Sequence, residues 1–397
     1  MGKDVNPVRR TAAIGVVLLV GNYSNRTGYA WNNIFRLFER IASEFRSRGG
    51  SAWVSFAKFE PPLDWEHAGA IDGILELPPV PRTPAELLRW VRAIRLHKIR
   101  SVYLTDQGFW AWQYAIFRLA GVKRIIVHCR ISVADPMPAT PSKGPVRWAK
   151  WLLARTPLIC ADKCYAVSDF VRNRLVKKAQ CPESRVDTIL NGVDLARFSP
   201  SFAGNAANPV KIFCGGRATM HKGVHVLIQA AALLRDRHAL NDFHVVFAGD
   251  GPDLDYFKRM ADDLKLAGHF QFLGHVDSTE ALVRTADIVV VPSIWGDACP
   301  SSISEALAAG KPLVATRVGG VPELIGDDEA ALMSEPGNAA EMAKALATLC
   351  RDPELRRQIG LKARARAELA LDQRRYHHQV VRYLMRDLVP SHSDSNW

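Results

Sequence analysis

Two cations stand where an apolar run meets a helix-like run: Arg217 and Lys222, in the segment GGRATMHKG. The run VKIFC precedes this segment and VHVLIQAAALL follows it. Glycine lets the backbone approach a ligand without Cβ clashes, and a helix N-terminus offers unpaired N–H groups and a positive dipole end. Arginine grips phosphate oxygens through a fork of donors, whereas lysine acts as a point charge. The pattern indicates a site for a doubly charged anion; a structural turn with two solvated cations is the alternative.

A pair of carboxylates follows in the segment VPSIWGDACPSSISEALAAGKPLVAT. A buried strand ends near Ser293, a loop carries Asp297, and a helix capped by Ser301 or Ser302 carries Glu305 one turn in. Gly310 is expected to close that helix. Carboxylates at the carboxyl ends of parallel strands suit sugar and ribose hydroxyls, which need acceptors. The alternative is an ordinary acid in the first helical turn beside an unrelated loop residue.

The elements that position these residues alternate along the whole chain. Short apolar runs such as AAIGVVLLV, RSVYLT, RIIVH, VKIFC, FHVVFAG and DIVVVPS are separated by ten or more residues of helical period. This alternation predicts parallel sheets with helices on both faces. The segment FSPSFAGNAANP, residues 198–209, has no periodicity and marks the predicted boundary between two βαβ domains.

Charge is unevenly placed along the 397 residues. Residues 1–200 hold 30 Lys/Arg against 16 Asp/Glu, whereas residues 201–397 hold 22 against 24. The net charges of the halves are +14 and −2, so the first half favours an acidic partner, either nucleic acid or an anionic membrane surface.

Three basic stretches of that half also carry aromatic or aliphatic side chains: residues 89–100, 108–124 and 144–157. Indole rings and cations on one helix suit a membrane interface. Core helices with a basic outer face are the alternative. The seven cysteines are scattered without CxxC spacing, so we expect no metal site and a reducing cytosol. The apolar run after Arg10 leads to no small-residue cleavage site, and we interpret it as a first strand.

The order and spacing of several motifs resemble one family. The motifs are GR-x4-KG, then GDGP (249–252), FLGHV (272–276), and PS followed by D-x7-E-A, G-x-P and GG-x-x-E. KCYAVSDFVRNRL and ILNGVDLARFSP add weaker matches. Over residues 160–330 the chain resembles the retaining glycosyltransferases of the GT4 group. The resemblance implies the GT-B fold, two Rossmann-like βαβ domains facing each other across a cleft. We expect an acceptor domain at 1–200 and a donor domain at 201–375. At 376–397 we expect a C-terminal helix that crosses back to the first domain, followed by a polar tail.

The resemblance also implies roles for individual residues. Arg217 and Lys222 would hold the donor diphosphate and stabilise the departing nucleoside diphosphate. Glu305 would accept the ribose hydroxyls, and Asp297, where the family usually has Glu, would hold a donor-sugar hydroxyl. His128 matches a family histidine near the donor sugar, although strand-end histidines are often structural. The remaining donor-binding residues would be Gly28, Gly215, Gly216, His275, Val276, Cys299, Pro300, Ser301 and Ser302.

Two departures from the family pattern concern the sugar. Asp297 is one methylene shorter than Glu, and Pro300 replaces a frequent glycine and brings no N–H. A double displacement needs a carboxylate nucleophile beneath the anomeric carbon, and no residue of the sequence is identified for that role. The expected route is therefore front-side attack, in which the leaving phosphate helps to deprotonate the acceptor.

The expected activity is transfer of a sugar from a UDP-, GDP- or ADP-sugar to a saccharide or lipid-linked acceptor in cell-surface glycan or polysaccharide synthesis. No cofactor, metal or nucleic acid is expected. We expect the protein to be cytoplasmic, and docking at the inner face of the cell membrane is part of this hypothesis. A sugar-nucleotide epimerase or phosphorylase of the same fold, and a nucleic-acid-binding protein, are the competing hypotheses.

Overall fold

The computed structural model describes residues 15–21, 29–56, 68–130, 156–200, 209–326 and 328–388. The described residues fall into two compact units, one within 1–128, 145–164 and 380–397, the other within 129–144 and 165–379. Most of the expected linker, residues 201–208, lies outside the described residues. The proposed domain limits at residues 200 and 375 therefore stay predictions.

The first sheet contains seven strands in the order β3-β2-β1-β4-β5-β6-β7. The pairs β1–β2, β1–β4, β2–β3 and β4–β5 are parallel, as continuous apolar runs predict. The strands are β1 Val16–Val20, β2 Ser51–Phe56, β3 Gly73–Glu76, β4 Ile99–Thr105, β5 Arg124–Cys129, β6 Lys163–Ala166 and β7 Val186–Thr188. The helices along this part of the chain are α1 Tyr29–Ser47, α2 Pro84–Leu96, α3 Gln113–Ala120 and α4 Asp169–Lys177.

The second sheet has six strands in the order β10-β9-β8-β11-β12-β13, and all five pairs are parallel. They are β8 Val210–Gly215, β9 Phe243–Ala248, β10 Phe270–Gly274, β11 Ile288–Val291, β12 Leu313–Thr316 and β13 Leu332–Ser334. The helices along this part of the chain are α5 Val224–Asp236, α6 Leu254–Asp263, α7 Glu280–Thr285, α8 Ser301–Ala308, α9 Val321–Ile325, α10 Ala339–Arg351, α11 Pro353–Ala370 and α12 Gln373–Leu388.

Helical periodicity identifies the buried faces correctly. In α1 the apolar residues recur with the 3.6-residue period of a helix from Ile34 to Phe45, and they are buried. The helix ends at Ser47, before Gly49 and Gly50. The C-terminal stretch 364–388 is divided between α11, which ends at Ala370, and α12, which begins at Gln373. The break falls at Leu371, which is fully buried, and Asp372. No helix in the described ranges is long and apolar enough to cross a membrane.

Strand order places the candidate site. The second sheet follows the doubly wound order 3-2-1-4-5-6. Successive strands are added outward on one side of β8 and then on the other, so the strand order reverses between β8 and β11. Ligands of open α/β sheets bind beyond the carboxyl ends of the strands at such a reversal. The segments that leave these two strands are those of Gly216–Lys222 and Pro292–Asp297. Residues that are about 75 positions apart in the chain thus meet at one edge.

Candidate functional site

The cationic segment lies against the loop that follows β11. Ile294 donates its backbone N–H to the carbonyl of His221 at 2.9 Å. Gly223 adopts a left-handed backbone with φ of 73°, and a Cβ there would lie 1.8 Å from the carbonyl oxygen of Pro292. Only glycine permits this approach. The turn Met220–Lys222 is thereby held beside the loop that carries Asp297.

Lys222 and Asp297 form an ion pair. The Lys222 ammonium contacts Oδ2 of Asp297, and the hydroxyl of Ser293 donates to the same oxygen at 3.4 Å. The two charged side chains are 23% and 11% exposed, so the pair is partly screened from water but open to a ligand. Two residues predicted to act on the donor are thus adjacent, and the lysine charge is balanced by the carboxylate.

Arg217 is the second cation of the segment and is exposed. Within the described ranges no acidic side chain pairs with it, so its guanidinium is available to an anion. Gly215 ends β8 and Gly216 follows it. A Cβ at the facing Gly249 would lie 1.7 Å from the carbonyl oxygen of Gly216, so the close approach of these two backbone segments requires glycine at position 249. The two cations and the glycines lie at the carboxyl end of β8, where the anion site was predicted.

Glu305 is buried within α8, with 5% of its surface exposed. Its Oε2 accepts the Thr279 hydroxyl at 2.9 Å. Burial is the largest effect on this group and raises the pKa of Glu305, whereas the Thr279 and Ser301 hydroxyls and the charge of Arg197 oppose the rise. Arg197 is itself held by Glu280 at 3.1 Å and by the Ser278 hydroxyl at 3.0 Å. The carboxylate is therefore oriented before any ligand arrives.

The start of α8 differs from the prediction of a serine cap. Pro300 occupies the N-cap position with φ of −66°, and no side chain caps the helix there. Ser301 is the first helical residue and Ser302 the second, so the expectation that either serine caps the helix is wrong. The reason is that the fixed φ of proline already sets the entry to the helix, which leaves the Ser301 hydroxyl to contact Glu305.

A polar cluster lies beside Cys299. Burial raises the pKa of the Cys299 thiol to about 11, while hydrogen bonds from Asn191 and the charge of Arg130 lower it. Arg130 donates to the Oδ1 of Asn191 at 2.9 Å. Cys299 is therefore a neutral thiol near Asp297. Asn191 belongs to the ILNGVDLARFSP motif. The family resemblance includes this motif, but no role was predicted for Asn191.

The remaining predicted residues are more scattered. His275 and Asp277 have exposed side chains 3.6 Å apart, and Val276 lies between them in the chain, after β10. His128 is fully buried in β5, where its Nδ1 lies 2.5 Å from the hydroxyl of Tyr103. Its predicted role near the donor sugar stays a prediction. Gly28 lies outside the described residues.

Two residues that hydrogen-bond to the predicted carboxylates were missed from the sequence: Thr279, which contacts Glu305, and Ser293, which contacts Asp297. Ser293 stood in the quoted motif, but Thr279 had no signal, since its proximity to Glu305 arises from the fold. Within the described ranges, no group of three or more His, Cys, Asp or Glu side chains is arranged to hold a metal ion.

Comparisons with known proteins match both halves of the chain. The family model described as Glycosyltransferase Family 4 matches residues 35–197, and the one described as Glycosyl transferases group 1 matches residues 198–366. The chain is 29% identical over 302 residues to the D-inositol 3-phosphate glycosyltransferase of Arthrobacter sp. strain FB24, which covers 70% of this chain and 67% of that protein. For several other curated relatives the match spans only 36% to 53% of the relative's length.

Solved structures share the fold. A glycosyltransferase from Rickettsia africae ESF-5 superposes with a TM-score of 0.75 at 19% identity, covering 95% of this chain and 99% of that one. Anabaena Alr3699/HepE, solved in complex with UDP and glucose, gives a TM-score of 0.72 at 21% identity and covers 93% and 98%. The predicted GT-B fold class is confirmed. The two adjoining family matches, together with the ordered motifs of the second sheet, show that the chain belongs to the GT4-type glycosyltransferases, which join a Glycosyltransferase Family 4 region to a Glycosyl transferases group 1 region.

Proposed function

We propose that this protein transfers a sugar from a nucleoside diphosphate sugar to a saccharide or lipid-linked acceptor, with retention of the anomeric configuration. The observation that carries the proposal is the ion pair of Lys222 with Asp297 beyond the carboxyl ends of β8 and β11. Arg217 lies in the same segment as Lys222, and the buried carboxylate of Glu305 lies on the helix that follows the Asp297 loop. Two cations suit a diphosphate, and two oriented carboxylates suit hydroxyl groups. The Anabaena neighbour bound to UDP and glucose supports this ligand class.

In this proposal the cations supply the main catalytic effect. As the bond from the sugar to the diphosphate breaks, negative charge grows on the leaving oxygen, and preorganised cations stabilise it. An arriving diphosphate competes with Asp297 for the Lys222 ammonium. The carboxylate that this releases is then available to a donor-sugar hydroxyl. We infer front-side attack, in which the departing phosphate oxygen takes the acceptor proton. The two cations fill the role of a divalent ion, so we expect activity to survive EDTA.

The first experiment is a panel of UDP-, GDP- and ADP-sugars with product analysis by NMR. We expect one nucleotide series to be consumed and the product to keep the donor's anomeric configuration. An inverted product contradicts the retaining mechanism. Release of an epimerised sugar, or phosphate-dependent formation of a sugar phosphate, assigns the chain instead to the epimerase or phosphorylase class.

Two substitutions then test the cations. Because each cation acts on developing charge, Arg217→Ala and Lys222→Ala should each lower kcat by at least about 100-fold. Lys211→Ala is the matched control, since Lys211 is an exposed lysine near the other end of β8 and contributes nothing to the site. If both site variants keep turnover within about threefold of the parent, a span worth less than 1 kcal/mol, the assignment is wrong.

A finer proposal concerns where the acceptor is met. The core face of α2 packs through Trp90, which stacks on Phe117 with ring centroids 4.4 Å apart. Its outer face exposes Leu88 and Leu96 together with three arginines, Arg89, Arg92 and Arg95. Apolar and cationic side chains on one exposed helix face suit an anionic membrane surface. We propose peripheral docking through α2, at the cytoplasmic side of a membrane. Most of the basic stretch 144–157 lies outside the described residues.

Vesicle flotation tests the docking. The protein should float with phosphatidylglycerol-containing vesicles at low salt and not with pure phosphatidylcholine. Replacement of the three α2 arginines by glutamine should abolish flotation, since each cation near an anionic surface is worth about 1 kcal/mol. Arg357→Gln is the single-site control on the second unit. Indifference to lipid charge contradicts docking, and a salt-dependent shift of random DNA without any effect of sugar nucleotides supports nucleic-acid binding instead.

A further inference from the structure

Glu323 contacts a helix that is remote in sequence. Its two carboxylate oxygens accept the backbone N–H groups of Asp169 at 2.5 Å and of Phe170 at 2.7 Å, the first two residues of α4. Ser168 accepts the N–H of Val171 through its hydroxyl. A carboxylate that bridges two N–H groups at a helix N-terminus forms charge-assisted hydrogen bonds and complements the helix dipole.

The backbone on the N-terminal side of Glu323 lies against Asp297. Gly320 donates its N–H to the carbonyl of Asp297 at 2.8 Å. A Cβ at Gly319 would lie 2.2 Å from the same carbonyl oxygen. A Cβ at Gly320 would lie 2.2 Å from the carbonyl oxygen of Ala298. The two glycines therefore pack directly against the loop that presents Asp297 to Lys222.

The other side of the short helix α9 is also fixed. Arg366 donates Nη2 to the carbonyl of Glu323 at 2.6 Å and Nε to the carbonyl of Leu324 at 2.9 Å. The main chain of Glu323 is thus held by α11 while its side chain holds α4. A movement of α9 would carry Gly319 and Gly320 with it, since Glu323 is only three positions after Gly320 in the chain. The Asp297 loop would lose its support.

We propose that Glu323 is a positioning residue for the donor-sugar site: by bridging α9 to the N-terminus of α4 it holds the two glycines beneath Asp297 and so fixes that carboxylate beside Lys222. The role of Asp297 toward the sugar rests on the proposed function. The mechanical link from Glu323 to Asp297 does not. A plain helix cap, which would stabilise α4 alone, is the competing explanation.

Hydrogen exchange of the ligand-free protein separates the two explanations. In Glu323→Gln the amide –NH2 replaces one acceptor and meets a backbone N–H, so the bridge is lost with little change of shape. We expect amide exchange at least about tenfold faster in peptides covering residues 169–171 and also in those covering 296–300, as for a local opening. Faster exchange at 169–171 alone overturns the proposal and leaves a helix cap.

The matched control is Glu341→Gln. Glu341 is likewise a first-turn carboxylate that accepts a backbone N–H, that of Glu335 at 2.9 Å, but it lies on α10. It should leave both peptides unchanged. Should Glu323→Gln fold poorly, Glu323→Asp provides a second variant, because its shorter side chain reaches one N–H rather than two.

Steady-state kinetics distinguish a positioning role from a purely structural one, because only a positioning role changes the donor KM without changing the Kd of the nucleoside diphosphate. With the sugar nucleotide selected by the panel above, Glu323→Gln should raise the donor KM about tenfold or more, since a factor of ten is only 1.4 kcal/mol. The Kd of the corresponding nucleoside diphosphate should stay within about threefold, because Arg217 and Glu305 are untouched. Equal weakening of both ligands overturns the positioning role. If no sugar nucleotide turns over, the proposed function fails, and the exchange experiment still decides the link.

Discussion

Replacement of Glu305 by glutamine tests the nucleotide site most directly. Glutamine keeps the length and shape of the side chain, and its carbonyl oxygen still accepts the Thr279 hydroxyl, which is 2.9 Å from Oε2 in the parent. The substitution removes the negative charge and converts one acceptor oxygen into a donor. Because Glu305 is only 5% exposed, water does not substitute for the lost acceptor. The fold should survive, since neutralising a buried carboxyl removes a desolvation cost.

The size of the effect follows from the hydrogen bonds involved. A hydrogen bond to a charged acceptor contributes about 1.5–3 kcal/mol, against about 0.5–1.5 kcal/mol for a neutral one. One oxygen of Glu305 is already occupied by Thr279, so we count the loss of one charged acceptor, about 1.5–3 kcal/mol. This corresponds to a loss of roughly 10- to 150-fold in affinity for the nucleoside diphosphate.

Calorimetric titration with UDP and 2′-deoxy-UDP measures this loss, with GDP or ADP pairs substituted if the panel selects them. The parent should discriminate against the 2′-deoxy nucleotide by about tenfold, and Glu305→Gln should bind both ligands equally weakly. Glu341→Gln, on the remote helix α10, should match the parent. If Glu305→Gln retains parental affinity together with parental discrimination, the ribose role of Glu305 is refuted.

The pH dependence has a definite sign. Burial raises the pKa of Glu305 above its ordinary value, with Thr279, Arg197 and Ser301 opposing. The stability that this group contributes is therefore present below its unfolded pKa and is lost as the pH rises through its folded pKa. Nucleotide binding needs the ionised carboxylate, so affinity should fall as the pH drops through the same folded value. A Glu305→Gln profile that keeps this acid limb would assign the titration to another group.

Two further predictions concern the scaffold and are measured by urea denaturation. Gly223→Ala should cost at least about 2 kcal/mol of unfolding free energy, because its φ of 73° and the carbonyl of Pro292 leave no room for Cβ; Gly268→Ala, with open space around it, should stay within about 0.5 kcal/mol, and an equal effect of the two would remove the steric argument. Arg364→Ala should cost about 2–3 kcal/mol, because the Arg364 guanidinium satisfies three backbone carbonyls. Arg357→Ala, which breaks only an exposed ion pair, should cost less than about 1 kcal/mol, and a reversed order would contradict the buried-acceptor reasoning.

Local sequence patterns were sufficient to predict most strands and helices and the types of residue at the candidate site. Continuous apolar runs predicted parallel strands, and the 3.6-residue period of α1 identified its buried face. Both predictions succeed because the spacing of apolar residues within one segment determines which of its faces can be buried. Arg217 and Lys222 stood at a strand-to-helix junction in the sequence, and the structure has them there. The three-residue strands β7 and β13 show the limit of this reasoning: Val186–Thr188 lies in the apolar run VDTIL, whereas Leu332–Ser334 lies outside the apolar runs from which strands were predicted.

Contacts over long separations depended on the tertiary structure. Lys222 meets Asp297 because β8 lies next to β11, a neighbour relation that no local period encodes. Thr279, at the start of α7, meets Glu305 because α7 packs beside α8. Glu323 bonds to the amides of α4 across about 154 residues, although its motif alone suggests only a first-turn acid. Side-chain type is a property of the chain, but the partner that balances a charge is chosen by strand order and packing. For that reason the chemistry of the site could be predicted, and the network that orients it could not.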